Sequence, residues 1–297
     1  MENFASKVKA YIPIILTTVL WGSMGVPASY AVQEVPPLLL LAGRSLIAVF
    51  FLCPLVLFRY GTIKPFKGDW LNLFLLGILG VLLNNYLYFW ALQHTTLTNC
   101  AILFASSPIM TALLAALFLK EPLRQSRALG MVLAFGGVVM LLTRGRIEAL
   151  FSSSVNLGDV AQLLSAFCAS MLAILGKRIR RTSAECVVLW LMIVGGVSAL
   201  ILFFSMGGRL PRQLSFRALW SLGYLGVLCS CVGYIAQQIS VKTIGAAASS
   251  AFLNGIPPIT LLTAALFLHE EISLFQLACM IVIFAGVVLN ARNQNIL

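Results

Sequence analysis

Two pairs of side chains have a spacing that bears on chemistry. Asn85 and Tyr88 stand three residues apart in one apolar stretch, and Tyr234 and Gln237 stand three residues apart in another, at a shift of 149 positions. Positions i and i+3 share a helix face, so each stretch would carry one polar-aromatic face inside apolar surroundings. Amide and phenol groups donate and accept hydrogen bonds, and the rings hold apolar groups. The chemistry on offer is therefore recognition of a zwitterion or weakly polar molecule. Two readings of these faces stand: lining of a cavity, or hydrogen bonding between helices. Arg44 is the one clear charge inside an apolar stretch. It could hold a carboxylate through its planar fork, or snorkel outward, or pair with Glu34.

Other candidates are weaker singly. Ser107 (with Ser106 and Asn99) and Asn254 (with Ser249 and Ser250) place small polar groups in two further stretches, where helix packing is the competing use. Gln162 and Ser165 do the same in another. Trp21 either lines a cavity or faces lipid. Pro108 and Pro257 interrupt apolar stretches, as binding elements or as plain kinks. Glu121 and Glu270 close those two stretches as gates, caps or solvated ends.

Bond-breaking chemistry has little support. There is no G-x-S-x-G elbow, no H-E-x-x-H and no His/Asp cluster. The seven cysteines lie in or beside apolar runs without metal-ligand spacing, and fit small apolar packing residues better than disulfides or ligands. No enzyme activity, cofactor or metal is expected. The net charge of +11 reflects basic loops between apolar runs and not a nucleic-acid surface.

The elements that must hold these residues follow from hydropathy. The chain has 60% hydrophobic and 10% charged residues, with a mean hydropathy of +0.99. A soluble domain carries about 25% charged residues, so lipid must solvate much of this surface. Apolar runs predict ten spans: 11–32, 37–58, 70–91, 98–119, 126–143, 157–176, 184–205, 216–239, 246–268 and 273–291. Runs of this kind cross a hydrocarbon core of about 30 Å. The first, behind Lys7 and Lys9, reads as an uncleaved helix and not as a removed signal.

With ten spans, 14 of the 20 basic residues fall in loops on the side of the N-terminus and five on the other. Cytoplasmic loops carry the Lys/Arg excess, which predicts both termini in the cytoplasm and a multi-pass protein of the cytoplasmic (inner) membrane.

The shift of 149 positions is an internal repeat. Pro108 to Glu121 aligns without gaps on Pro257 to Glu270, with nine of 14 positions identical, and Phe135-Gly-Gly-Val-Val139 aligns on Phe284-Ala-Gly-Val-Val288. Five spans per copy is an odd number, so the second copy enters the membrane from the opposite side. The expected fold is all-α and polytopic, with ten transmembrane helices as two inverted five-helix repeats, residues 1–149 and 150–297. Inverted repeats place a substrate site near the midplane between the halves, often where helices are interrupted.

The residues Trp21-Gly22-Ser23, Ala91-Leu-Gln, Pro108, Ala115-Ala-Leu-Phe-Leu-Lys-Glu121 and Gly137-Val-Val, repeated as Pro257, Ala264-Ala-Leu-Phe-Leu-His-Glu270 and Gly286-Val-Val, resemble the EamA domain of the drug/metabolite transporter superfamily. That resemblance covers nearly the whole chain. It implies a central cavity between two four-helix groups, peripheral fifth and tenth spans, and alternating access. The implied function is secondary transport of small metabolites, with export of amino acids or related compounds; import or exchange on the same fold is the alternative, and a membrane scaffold the non-transporting one. The expected partners are a small-molecule substrate and the lipid bilayer, with no nucleic acid, for a monomer or homodimer. The substrate-binding candidates are then Trp21, Arg44, Asn85, Tyr88, Ser107, Tyr234, Gln237 and Asn254.

Overall fold

Every regular element among the described residues is helical. The computed structural model describes residues 2–95, 100, 103–121, 125–143, 145–146, 156–268 and 272–292. In chain order the helices are α1 (Glu2–Gly22), α2 (Gly25–Glu34) and α3 (Pro37–Tyr60), followed by α4 (Trp70–Leu75) and α5 (Asn84–His94). The first half ends with α6 (Ser107–Leu119) and α7 (Gln125–Thr143). Next come α8 (Leu157–Arg178), α9 (Ala184–Ser205), α10 (Phe216–Tyr224) and α11 (Tyr234–Ile244), then α12 (Ala246–Phe252), α13 (Ile256–Leu268) and α14 (Leu274–Arg292).

Six of the described helical stretches are long and apolar enough to cross a membrane, or seven if the bent pair α1–α2 is one span. Three shorter apolar helices, Ser107–Leu119, Ala128–Leu141 and Leu274–Leu289, coincide with the predicted fourth, fifth and tenth spans.

Local sequence explains the helix ends. Asn156 accepts from the Asp159 amide at 2.9 Å while Asp159 accepts from the Asn156 amide, a capping box that starts α8. Pro37 opens α3, where its missing N–H costs nothing, and Gly61 ends it at φ 67°.

Sequence reasoning predicted an unbroken first span over 11–32, but α1 and α2 meet at a bend of 43°. Pro27 has no N–H for the Ser23 carbonyl one turn back. The Ser23 hydroxyl also turns onto the Val19 and Leu20 carbonyls, at 2.9 and 3.1 Å. The prolines of the fourth and ninth spans behave differently from a mid-helix kink. Pro108 and Pro257 are each the second residue of a helix, α6 and α13. The interruption lies just before them, in a turn at Ala105–Ser106 and a 3-10 turn at Leu253–Gly255.

Two features were not foreseen. Between α4 and α5, Leu76–Leu83 is π-helical, and between α10 and α11, Leu225–Gly233 is π-helical too. The two segments begin 149 positions apart, and each leads directly into the polar-aromatic face. π-helical turns are rare and concentrate at functional sites.

The halves pack through matched contacts. A Cβ on Gly137 would stand 2.8 Å from the Ile283 side chain, and one on Gly286 would stand 2.7 Å from the Ala134 backbone nitrogen. These two pairs exchange under the shift of 149, so α7 and α14 meet glycine-on-helix in both directions. The missing side chains let the backbones approach closely, as membrane helices do. Likewise Gly77 lies against Val194 and the Leu191 carbonyl, and Gly226 against Ile47 and the Arg44 carbonyl. The largest buried apolar cluster runs along α3 and α9, through Leu52, Val56, Leu189 and Ala199. Their outer faces expose residues such as Phe50, Phe58 and Ile201, as lipid-facing surface would.

Candidate binding cavity

The cavity is built where helices are interrupted. The bend after α1 brings Trp21, Met24 and Val26 to its rim, the π-helical segments deliver Asn85 and Tyr234, and the turns before α6 and α13 deliver Ser107 and Pro257. The space measures about 310 Å³. Its lining runs from the exposed Ser29 to the buried Thr111 and Ser250. Thr111 and Thr260, equivalent under the repeat, both line it.

Seven of the eight binding candidates line this space: Trp21, Arg44, Asn85, Tyr88, Ser107, Tyr234 and Gln237. Asn254 does not. It is buried, and neither its amide nitrogen nor its oxygen has a hydrogen-bond partner. The 3-10 turn that holds it advances by about 120° per residue instead of 100°, so its direction is not that of a continuous helix. Pro257 lines the cavity and Pro108 does not.

The interior hydrogen bonds join the two halves. Asn85 donates through Nδ2 to Tyr234 Oη at 3.2 Å and to the Val81 carbonyl at 2.8 Å. Asn85 and Tyr234 are each other's repeat equivalents. A residue in contact with its own symmetry mate must sit close to the symmetry axis, so this bond marks where an internal two-fold would pass. Trp21 donates through Nε1 to the Cys229 carbonyl at 3.2 Å and packs edge-on to Tyr234, with ring centroids 5.1 Å apart. Its ring is thereby fixed in the cavity wall. Thr17 Oγ1 reaches the Gly233 carbonyl at 3.1 Å, and Ser165 Oγ reaches the Asn84 carbonyl at 2.9 Å. Gly233 and Asn84 are again 149 apart, so α1 and α8 hold their partner helices by the same device.

Arg44 neither snorkels nor meets Glu34. It is 2% exposed. Its Nε donates to Ser230 Oγ at 2.7 Å and its Nη1 to Asn85 Oδ1 at 3.1 Å, with Met24 Sδ at 4.0 Å. Glu34 instead accepts from the Ser215 amide and hydroxyl at 2.8 and 2.6 Å, beside the start of α10. Two buried acceptors among the lining residues, Ser107 Oγ and Gln237 Oε1, have no hydrogen-bond partner.

A contact outside the lining also joins the halves, at the start of the helix that carries the lining residue Ser250. Glu121 accepts from the amides of Ala246 and Ala247, at 3.2 and 3.4 Å, where α12 begins. A carboxylate there satisfies orphan N–H groups and meets the positive end of the helix dipole. Glu270, its repeat equivalent, lies outside the described residues. Nearby, Arg59 pairs with Glu185 at 2.7 Å, and Asp69 accepts from the Thr182 hydroxyl at 2.6 Å.

The sequence profile of the EamA-like transporter family matches the chain twice, over residues 8–143 and 156–292. The chain belongs to the EamA-like transporter family. It is similar to an uncharacterized transporter of Archaeoglobus fulgidus, 26% identical over 97% of this chain and 99% of that one. The Bacillus subtilis transporter YyaM is 26% identical over 93% of this chain and 92% of its own. A Streptantibioticus cattleyicolor protein named a probable terminal-alkyne amino-acid exporter is 26% identical over 71% of this chain and 69% of its own. A protein crystal structure at 18% identity shares the fold, with a TM-score of 0.78 over 95% of this chain and 96% of that one. The EamA-like chain is thus a multi-pass helical membrane protein of a transporter family, and its cavity is lined from both regions that match the family.

Proposed function

We propose that this protein is a secondary transporter of the cytoplasmic membrane that moves small metabolites by alternating access, exporting amino acids or related compounds. The three shorter apolar helices count as spans in this reading, which gives ten, arranged as inverted repeats of residues 1–149 and 150–297 with both termini cytoplasmic. The observation that carries it is the Asn85–Tyr234 hydrogen bond in the cavity wall, a contact between repeat equivalents. It supports a binding space on the axis between the halves, where inverted-repeat transporters hold their substrates. The name of the Streptantibioticus relative supports the amino-acid reading. Under this topology the cavity opens outward by Ser29, and Glu121 holds the cytoplasmic end closed.

The test is uptake of a radiolabelled amino-acid and carboxylate panel into proteoliposomes. At least one compound should be taken up saturably; none doing so contradicts the proposal. Tyr88→Ala and Gln237→Ala should each weaken uptake with expression unchanged. The loss should be about tenfold or less, because one hydrogen bond contributes about 0.5–1.5 kcal/mol. Phe50→Ala, 73% exposed on the outer face of α3, should transport like the parent.

A further inference from the structure

Arg44 presents a problem that its protein contacts do not solve. Removing a guanidinium from water costs several kcal/mol unless an opposite charge or a full set of hydrogen bonds compensates. Its partners Ser230, Asn85 and Met24 are all neutral, and Nη2 has no hydrogen-bond partner among the described residues. The ion pair present among the described residues, Arg59–Glu185, lies elsewhere. Among the described lining residues there is no Asp, Glu, Lys or His, and Arg44 is the charged one.

The repeat shows that packing does not demand this cation. Gly226 sits on Ile47 and the Arg44 carbonyl, while its equivalent Gly77 sits on Val194 and the Leu191 carbonyl. At this contact α3 and α9 correspond at an offset of 147 and not 149, with Ile47 answering to Val194, so the position that matches Arg44 in the second half is Leu191, which is buried in the core. The same helix contact is made with leucine on one side and arginine on the other, and the arginine is the one beside the cavity. A residue kept for helix packing would not need a charge there.

We propose that Arg44 is the carboxylate anchor of the cavity, and that its ligands are small organic acids with one carboxylate and net charge −1 or zero. This rests on the reading of the cavity as the transport site. A planar guanidinium with unused N–H groups matches a carboxylate in two parallel hydrogen bonds. A single carboxylate neutralises the single buried charge, whereas a phosphate dianion would leave an excess negative charge and an amine would add a positive one. Ser107 Oγ and Gln237 Oε1, both buried and unpartnered, supply acceptors for a donor elsewhere on the ligand. Trp21 and Tyr88 supply ring surface for an apolar part.

The experiment uses the full-length protein and a matched panel: the standard amino acids, their amides and methyl esters, three- to six-carbon monocarboxylates, the corresponding alkylamines, and inorganic phosphate. Thermal stabilisation reads binding and proteoliposome uptake reads transport. The free carboxylates should stabilise the protein, and the amides, esters, amines and phosphate should not. Arg44→Leu copies the second half and should keep the parent's melting temperature, while the half-saturating carboxylate concentration rises roughly 10- to 100-fold. Arg44→Lys keeps the charge without the fork, and should fall between parent and Arg44→Leu. Equal stabilisation by amides or amines overturns the proposal, as does stabilisation by phosphate alone or by nothing in the panel. Unchanged carboxylate affinity in Arg44→Lys and Arg44→Leu overturns it too. Saturable uptake that ignores the carboxylate leaves transport standing and removes the anchor. Carboxylate-specific stabilisation without uptake of any compound does the reverse.

Discussion

Uptake should fall to background in Val26→Trp. Val26 lines the cavity at the bend between α1 and α2, on the side that reaches the surface, and it is only half-buried. A cavity of about 310 Å³ is at the small end of the range for ligand pockets, and an indole at its rim would take much of that room. Because the position is not packed in the core, the larger ring can be accommodated toward the opening with little strain. The variant should therefore reach the membrane and melt like the parent while transporting nothing. Val26→Ala, which widens the rim, should keep its uptake. Transport by Val26→Trp at the parental rate would mean that solute does not pass through this cavity.

Leucine at Gly137 or Gly286 should lower stability sharply, and leucine at Gly136 should not. Overpacking a close contact costs about 1–3 kcal/mol. A Cβ on Gly137 would meet the Ile283 side chain at 2.8 Å, and one on Gly286 would meet backbone atoms of Ala134 and Gly130 at 2.7 Å. Backbone gives way less readily than a side chain, so Gly286→Leu should be the more damaging of the two. Gly136, one residue away and facing outward, would meet nothing within 4 Å. Melting curves of the detergent-solubilised variants test this ranking. If Gly136→Leu is as damaging as the others, the cause is backbone conformation and not the α7–α14 contact.

Much of the cavity lining was legible because a repeat imposes its register on the residues that carry it. The shift of 149 pairs Asn85 with Tyr234 in the sequence alone, and those two side chains touch. Arg44 was legible because a charge inside an apolar run has few explanations. Its environment was not, since sequence proximity offered Glu34, while the actual partner of Glu34 is Ser215, 181 residues away. The π-helical segments were hidden because α and π turns draw on the same apolar residues. Only the glycines within them, Gly77, Gly80, Gly226 and Gly233, hinted at close approach. Asn254 read as a site residue because it is a polar group in an apolar stretch, a signal that does not separate cavity lining from burial between helices, and it is buried away from the lining. The break after Gly22 was likewise obscured by an unbroken hydropathy profile, since hydropathy records burial in lipid and not helix direction.

Alternating access is most directly tested by labelling the two ends of the cavity from the two sides of the membrane. On a cysteine-free background, Val26→Cys would report the end by Ser29, and Ser250→Cys, at a position 2% exposed on the helix whose first amides Glu121 accepts from, would report the other. A membrane-impermeant maleimide would be applied to right-side-out and inside-out vesicles, with and without the best-transported compound of the panel. The account predicts that Val26→Cys reacts from outside, that Ser250→Cys reacts only from the cytoplasmic side, and that any condition raising one rate lowers the other. Both positions reacting from the same side, at rates that never change in opposition, would contradict it and describe a fixed pocket.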